Sequence, residues 1–124
     1  MNILLVEDNP GDILLAKEAL KETGILDYSL HVVSDGEDAL RFLFRQDGYQ
    51  EAVRPDLVLL DLNIPKINGR NVLKQVKENS SLRTIPIIVF STSEAQHDIN
   101  SSYALHANCY VTKPVDYDEF VRVI

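Results

Sequence analysis

The chain has 124 residues, 45% hydrophobic and 25% charged, with a formal net charge of −7. That length fits one domain, 1–124, with one core, and the acidic excess argues against a direct nucleic-acid binder, which needs a basic face. No apolar run approaches membrane-spanning length, the start MNILLVEDN lacks the basic residues of a signal peptide, and the single cysteine, Cys109, excludes an internal disulfide, so a cytoplasmic protein with no membrane partner is expected.

The elements follow in order. Asn2–Val6 is a short apolar run and reads as a strand. Ile13, Ala16 and Leu20 recur at helical spacing, which predicts a helix over 12–23, with Gly24 as its stop. Ser29–Val33 is a second strand. Asp35 can cap the next helix, whose Ala39, Leu40 and Leu43 form an apolar stripe. Leu57–Leu60 is a third strand, and Val72, Leu73 and Val76 mark a third helix capped by Asn68. A fourth strand covers 87–90, a weak fourth helix 94–105, and a fifth strand Cys109–Thr112. A last helix begins near Asp116 and carries Phe120, Val121 and Ile124; it reads as truncated. Arg70, Lys74 and Lys77 share one side of the third helix and read as a solvated face. Cys109 reads as a small buried core residue. His31, His97 and His106 lack metal-ligand spacing.

Five strand–helix repeats imply a parallel sheet covered by helices on both faces. Right-handed crossovers then favour a flavodoxin-like, doubly wound (βα)5 α/β sheet with strand order 2-1-3-4-5. In such sheets ligands bind beyond the carboxyl ends of the strands. There strand 1 delivers Glu7 and Asp8, strand 3 Asp61, strand 4 Ser91 and Thr92, and strand 5 Lys113 and Pro114.

Three carboxylates brought within a few ångströms repel one another, and a divalent cation is the natural compensation. Oxygen donors with no Cys or His nearby suit Mg²⁺ or Mn²⁺ better than Zn²⁺. A cation, the Lys113 ammonium and the Ser91 hydroxyl around one carboxylate suit phosphoryl transfer, with Asp61 as nucleophile.

The pieces VEDN at 6–9, DLNIPKING at 61–69, STS at 91–93 and YVTKP at 110–114, in register with the strand–helix pattern, resemble the receiver domain of two-component response regulators over essentially the whole chain. The resemblance implies that Asp61 accepts a phosphoryl group from a histidine of a sensor kinase or phosphotransfer protein. It implies Mg²⁺ (or Mn²⁺) bound by Asp8, Asp61 and the Asn63 backbone carbonyl, with Glu7 acting through water. Lys113 would pair with a phosphoryl oxygen. Ser91 would move toward the phosphate and Tyr110 would turn inward behind it, switching the face of helix 4, strand 5 and helix 5. Asn63, Thr92 and Pro114 would line the phosphate. Thr92 stands where a smaller Ala is frequent, which implies a longer acyl-phosphate lifetime. Such a domain catalyses only its own phosphorylation and dephosphorylation.

Within the family, VEDNPGD, the long segment 45–56 and STS resemble the small single-domain regulators paired with phytochrome-type histidine kinases, which implies a homodimer as one output. Three rivals are weaker. An Asp-nucleophile phosphatase needs a carboxylate as general acid two residues on, and that position is Asn63. A pseudo-receiver that is never phosphorylated usually loses an acid or the lysine. A flavin-binding flavodoxin-like protein would meet repulsive acids after strand 1.

Overall fold

The computed structural model describes residues 1–24, 27–91, 100 and 106–112, with the main chain alone at 91, 111 and 112. The element order is β1 (Asn2–Val6), α1 (Pro10–Glu22), β2 (Ser29–Val33), α2 (Gly36–Phe44), β3 (Leu57–Leu60), α3 (Gly69–Glu78), β4 (Ile87–Ser91) and β5 (Cys109–Thr112). The strands form one parallel sheet in the order β2-β1-β3-β4-β5, as the sequence pattern predicts. The predicted helices over 94–105 and from 116 onward lie outside the described residues, apart from the helical Asn100.

Alternation along each strand divides the core in two. Leu4, Val6, Val58, Leu60 and Val89 face α2 and α3, where they meet Ala39, Leu43, Val72 and Val76. Ile3, Leu5, Leu59, Ile88 and Phe90 face α1 and meet Ala16, Ala19 and Leu20. Both faces of β1 and β3 are therefore dry, which is why these strands are unbroken apolar runs. Tyr110 packs with the α2–α3 side and Cys109 with the α1 side.

Three details differ from the sequence reading. Helix α1 starts two residues earlier, at Pro10, because Asn9 is its cap: the Asn9 side chain accepts from the amides of Gly11 (2.8 Å) and Asp12 (3.1 Å). Proline at the first helical position lacks only an N–H that has no helical partner anyway. Cys109 is half-buried, since β5 is an edge strand among the described residues. Lys77 does not belong to a solvated face. It is half-buried, and its Nζ donates to the carbonyls of Ile85 (2.8 Å) and Arg83 (3.0 Å) and to Asn108 Oδ1 (3.4 Å).

The long segment between α2 and β3 is tied down locally. Arg45 ends α2 in the left-handed conformation (φ 56°), and Tyr49 packs its ring 5.6 Å from that of Phe42.

Candidate acidic phosphoryl-transfer site

Strands β1 and β3 are neighbours with Val6 opposite Leu60, so the residues that follow them emerge side by side. The Asp61 amide donates to the Val6 carbonyl (3.1 Å), and the Glu7 amide to the Val33 carbonyl (3.0 Å). The ladders thus run one step beyond the strands and hold both acids at the carboxyl edge. Glu7, Asp8 and Asp61 each offer a carboxylate oxygen, and these oxygens lie within 4.8 Å of one another. Glu7 is fully buried and Asp61 is 4% exposed, whereas Asp8 faces solvent.

Two like charges at this range repel by about 3 kcal/mol at an effective dielectric constant near 20. A single hydrogen bond returns only about 1 kcal/mol. Each buried acid has such a bond: the Asn9 amide donates to Glu7 Oε1 (3.1 Å), and the Asn63 amide to Asp61 Oδ1 (3.0 Å). These orient the carboxylates without neutralising them. The donor set is oxygen alone, two of its three acids are buried and the third opens to water, which fits a hard divalent cation that keeps part of its hydration shell.

Asp8 does not cap α1, because Asn9 does; its carboxylate is left for the cluster. Downstream, the chain must turn sharply to start α3. A Cβ at Gly69 would lie 2.6 Å from Leu62 Cα and closer still to the Asp61 carbonyl oxygen, so only glycine lets α3 begin against the end of β3. The Gly69 amide donates to the Leu62 carbonyl (3.0 Å).

Ser91 ends β4 at the same carboxyl edge, paired with Thr112 of β5. Tyr110 is 9% exposed and sits opposite Val89, on the α2–α3 side of the sheet. Thr92, Lys113 and Pro114, and the hydroxyl of Ser91, lie outside the described residues. The structure therefore brings together Glu7, Asp8, Asp61 and Asn63, with the Ser91 main chain at the same edge. The sequence reading missed Asn9 and Gly69 as parts of the site's frame. An Asn-Pro pair straight after a strand is a helix-start signal that could have found the first.

Residues 3–124 match the family model of the response regulator receiver domain. The chain belongs to this family. It is 43% identical to the response regulator Rcp1 of Synechocystis sp. over 122 residues, which cover 98% of this chain and 82% of that one. Among solved structures, the Mn²⁺-bound form of Rcp1 superposes with a TM-score of 0.88, covering 98% of this chain and 87% of that one. The phosphorylated cyanobacterial phytochrome response regulator RcpA, also 43% identical, gives a TM-score of 0.88 over 98% and 86% of the two chains. This receiver domain is thus a two-component signalling domain. Its relatives include phytochrome-paired regulators, and no helix among its described residues is long and apolar enough to cross a membrane.

Proposed function

We propose that this receiver domain accepts a phosphoryl group on Asp61 from a phosphohistidine of a sensor kinase or phosphotransfer protein, and that the modification switches a docking surface. The observation that carries the reading is the buried Asp61 carboxylate beside Glu7 and Asp8 at the carboxyl edge of the sheet. An Asp61 oxygen attacks phosphorus, the P–N bond breaks, and its electron pair leaves on the imidazole nitrogen; the product is an acyl phosphate.

The residues that would hold Mg²⁺ or Mn²⁺ are Asp8, Asp61 and the Asn63 backbone carbonyl, with Glu7 through water. When bound, the cation would offset the negative charge that gathers on the phosphoryl oxygens. The chain's own groups do the rest. The Asn63 amide orients the Asp61 carboxylate through Oδ1. The buried wall around Glu7 and Asp61 limits water at the nucleophile. Lys113 would pair with a phosphoryl oxygen, and the Ser91 hydroxyl would turn toward it. Tyr110, at the inner face of β5, is the aromatic whose packing would follow Ser91. Thr92 would crowd the hydrolytic water, so the acyl phosphate of the wild type should outlast that of Thr92→Ala; a slower-decaying variant would contradict this role.

The test is intact mass after incubation with acetyl phosphate and Mg²⁺, on the wild type and Asp61→Asn in parallel. One added phosphoryl group in the wild type alone is the expected result. No addition in either protein, with Mg²⁺ binding measured separately, would turn the reading into that of a pseudo-receiver, a docking module that is never phosphorylated.

A further inference from the structure

The loop between β3 and α3 is held from an unexpected side. Its middle lies against the N-terminus of α2. The Gly36 amide donates to the Pro65 carbonyl (3.2 Å). A Cβ at Gly36 would stand 2.7 Å from the Ile67 carbonyl carbon and overlap its oxygen, so the two backbones touch directly. Between them Lys66 adopts φ 68°, a left-handed conformation that costs a non-glycine residue free energy and persists only where surrounding contacts impose it. This geometry brings Lys66 Nζ to 3.5 Å from Asp35 Oδ2 and 3.8 Å from Glu37 Oε2. Asp35 is itself buried, and its other oxygen caps α2 by accepting from the Asp38 amide (2.7 Å). One carboxylate thus fixes the helix start with one oxygen and the loop with the other. Glu37 is also paired with Arg41, one turn further along α2.

The same loop carries Asn63, whose amide orients the Asp61 carboxylate (3.0 Å). From the far end it is stitched by the Gly69 amide on the Leu62 carbonyl. We propose that Lys66 is a positioning residue: its ion pairs with Asp35 and Glu37 hold the β3–α3 loop against α2 and so keep the Asn63 main chain in register with Asp61. The cation-binding arm of the test below rests on the metal reading given above; the exchange arm does not.

The size of the effect is bounded by the contact. Lys66 is 56% exposed, and an ion pair that open to water contributes under about 1 kcal/mol. The clamp therefore acts on local geometry more than on global stability. The direction of the effect separates positioning from plain electrostatics. Removing one positive charge from a chain of net charge −7 should tighten cation binding by simple Coulomb attraction, whereas losing the clamp should weaken it.

The experiment compares wild type, Lys66→Ala and Lys66→Arg by amide hydrogen exchange without metal and by Mn²⁺ titration. Lys66→Ala is expected to speed exchange at the Gly36 and Asn63 amides roughly two- to fivefold, the range open to an exposed ion pair, and to weaken Mn²⁺ binding by a similar factor. The Leu5 and Leu59 amides, in the central strands, should be unchanged, and Lys66→Arg should restore both readouts. Unchanged exchange at Asn63 in Lys66→Ala overturns the proposal, as does Mn²⁺ binding that tightens or stays the same. If the wild type itself binds no Mn²⁺, the metal reading fails, and exchange at Asn63 alone decides the clamp.

Discussion

The two edges of the sheet carry charge in opposite ways. At the amino edge, the charged side chains reach main-chain and neutral partners of opposite polarity. Lys77 closes on the carbonyls of Arg83 and Ile85, Arg54 donates to the Ser81 carbonyl (2.8 Å) and Thr84 Oγ1 (2.9 Å), and Asp56 accepts from the Asn2 amide (2.7 Å). At the carboxyl edge, three groups of the same sign are drawn within 4.8 Å, two of them buried. The first edge sets charge against opposite polarity; the second gathers like charges, whose mutual repulsion counts against the fold. Gathering like charges at one edge and not at the other serves no need of folding alone, and that contrast marks the carboxyl edge as the candidate working end.

The largest effect is expected at the backbone of the carboxyl edge. Gly69→Ala should cost about 3 kcal/mol, because the new Cβ meets backbone atoms of Asp61 and Leu62 that cannot rotate away. A drop in the urea midpoint with an unchanged denaturant slope is the expected signature; a wild-type midpoint would mean that the turn has room to spare. At the amino edge, Lys77→Met should destabilise by about 1–2 kcal/mol through lost charged hydrogen bonds. Burial holds the Lys77 ammonium below the ordinary lysine range. The folded state therefore gives up this proton before the unfolded chain does. The wild type should gain stability relative to Lys77→Met as pH rises from the lowered value to the ordinary one. A difference between the two melting curves that stays flat with pH would refute the assignment. At the carboxyl edge the sign inverts. Asp61→Asn should raise stability by about 1 kcal/mol in metal-free buffer, since it removes one of the clustered charges. Thermal melts of the two proteins would decide this, and a less stable variant would mean that the acids are already compensated.

Much of the fold was legible because both sheet faces are covered. Strands buried on two sides must be unbroken apolar runs, and the central strands β1, β3 and β4 fall on the stretches that this rule picks out, while the edge strands β2 and β5 are more mixed. The acidic cluster was legible for a related reason: strand ends in a parallel sheet converge on one edge, so Glu7, Asp8 and Asp61 could be placed together before any distance was known. The start of α1 was harder, because Pro10-Gly11 reads as a turn unless Asn9 is recognised as a cap. Cys109 was read as core, but its neighbour on one side is only the edge of the sheet. Lys77 looked solvated because helical spacing says nothing about the carbonyls of the connection between α3 and β4. The contact of Lys66 with Asp35 joins residues 31 positions apart through a left-handed backbone, and no local pattern signals it.

The close approach of Gly36 to Ile67 has a consequence for how the sequence can drift. Position 36 is closed to every side chain by a backbone atom, whatever the domain does, while the solvent-facing carboxylate of Asp8 and its like-charged neighbours meet no such backbone demand. Selection for a folded product alone would preserve the glycine and let the acids go. Selection for signalling would keep both. The chain therefore holds two independent records of its history, one written in glycines and one in carboxylates, and a descendant that lost its signalling role would be recognised by erasure of the second alone.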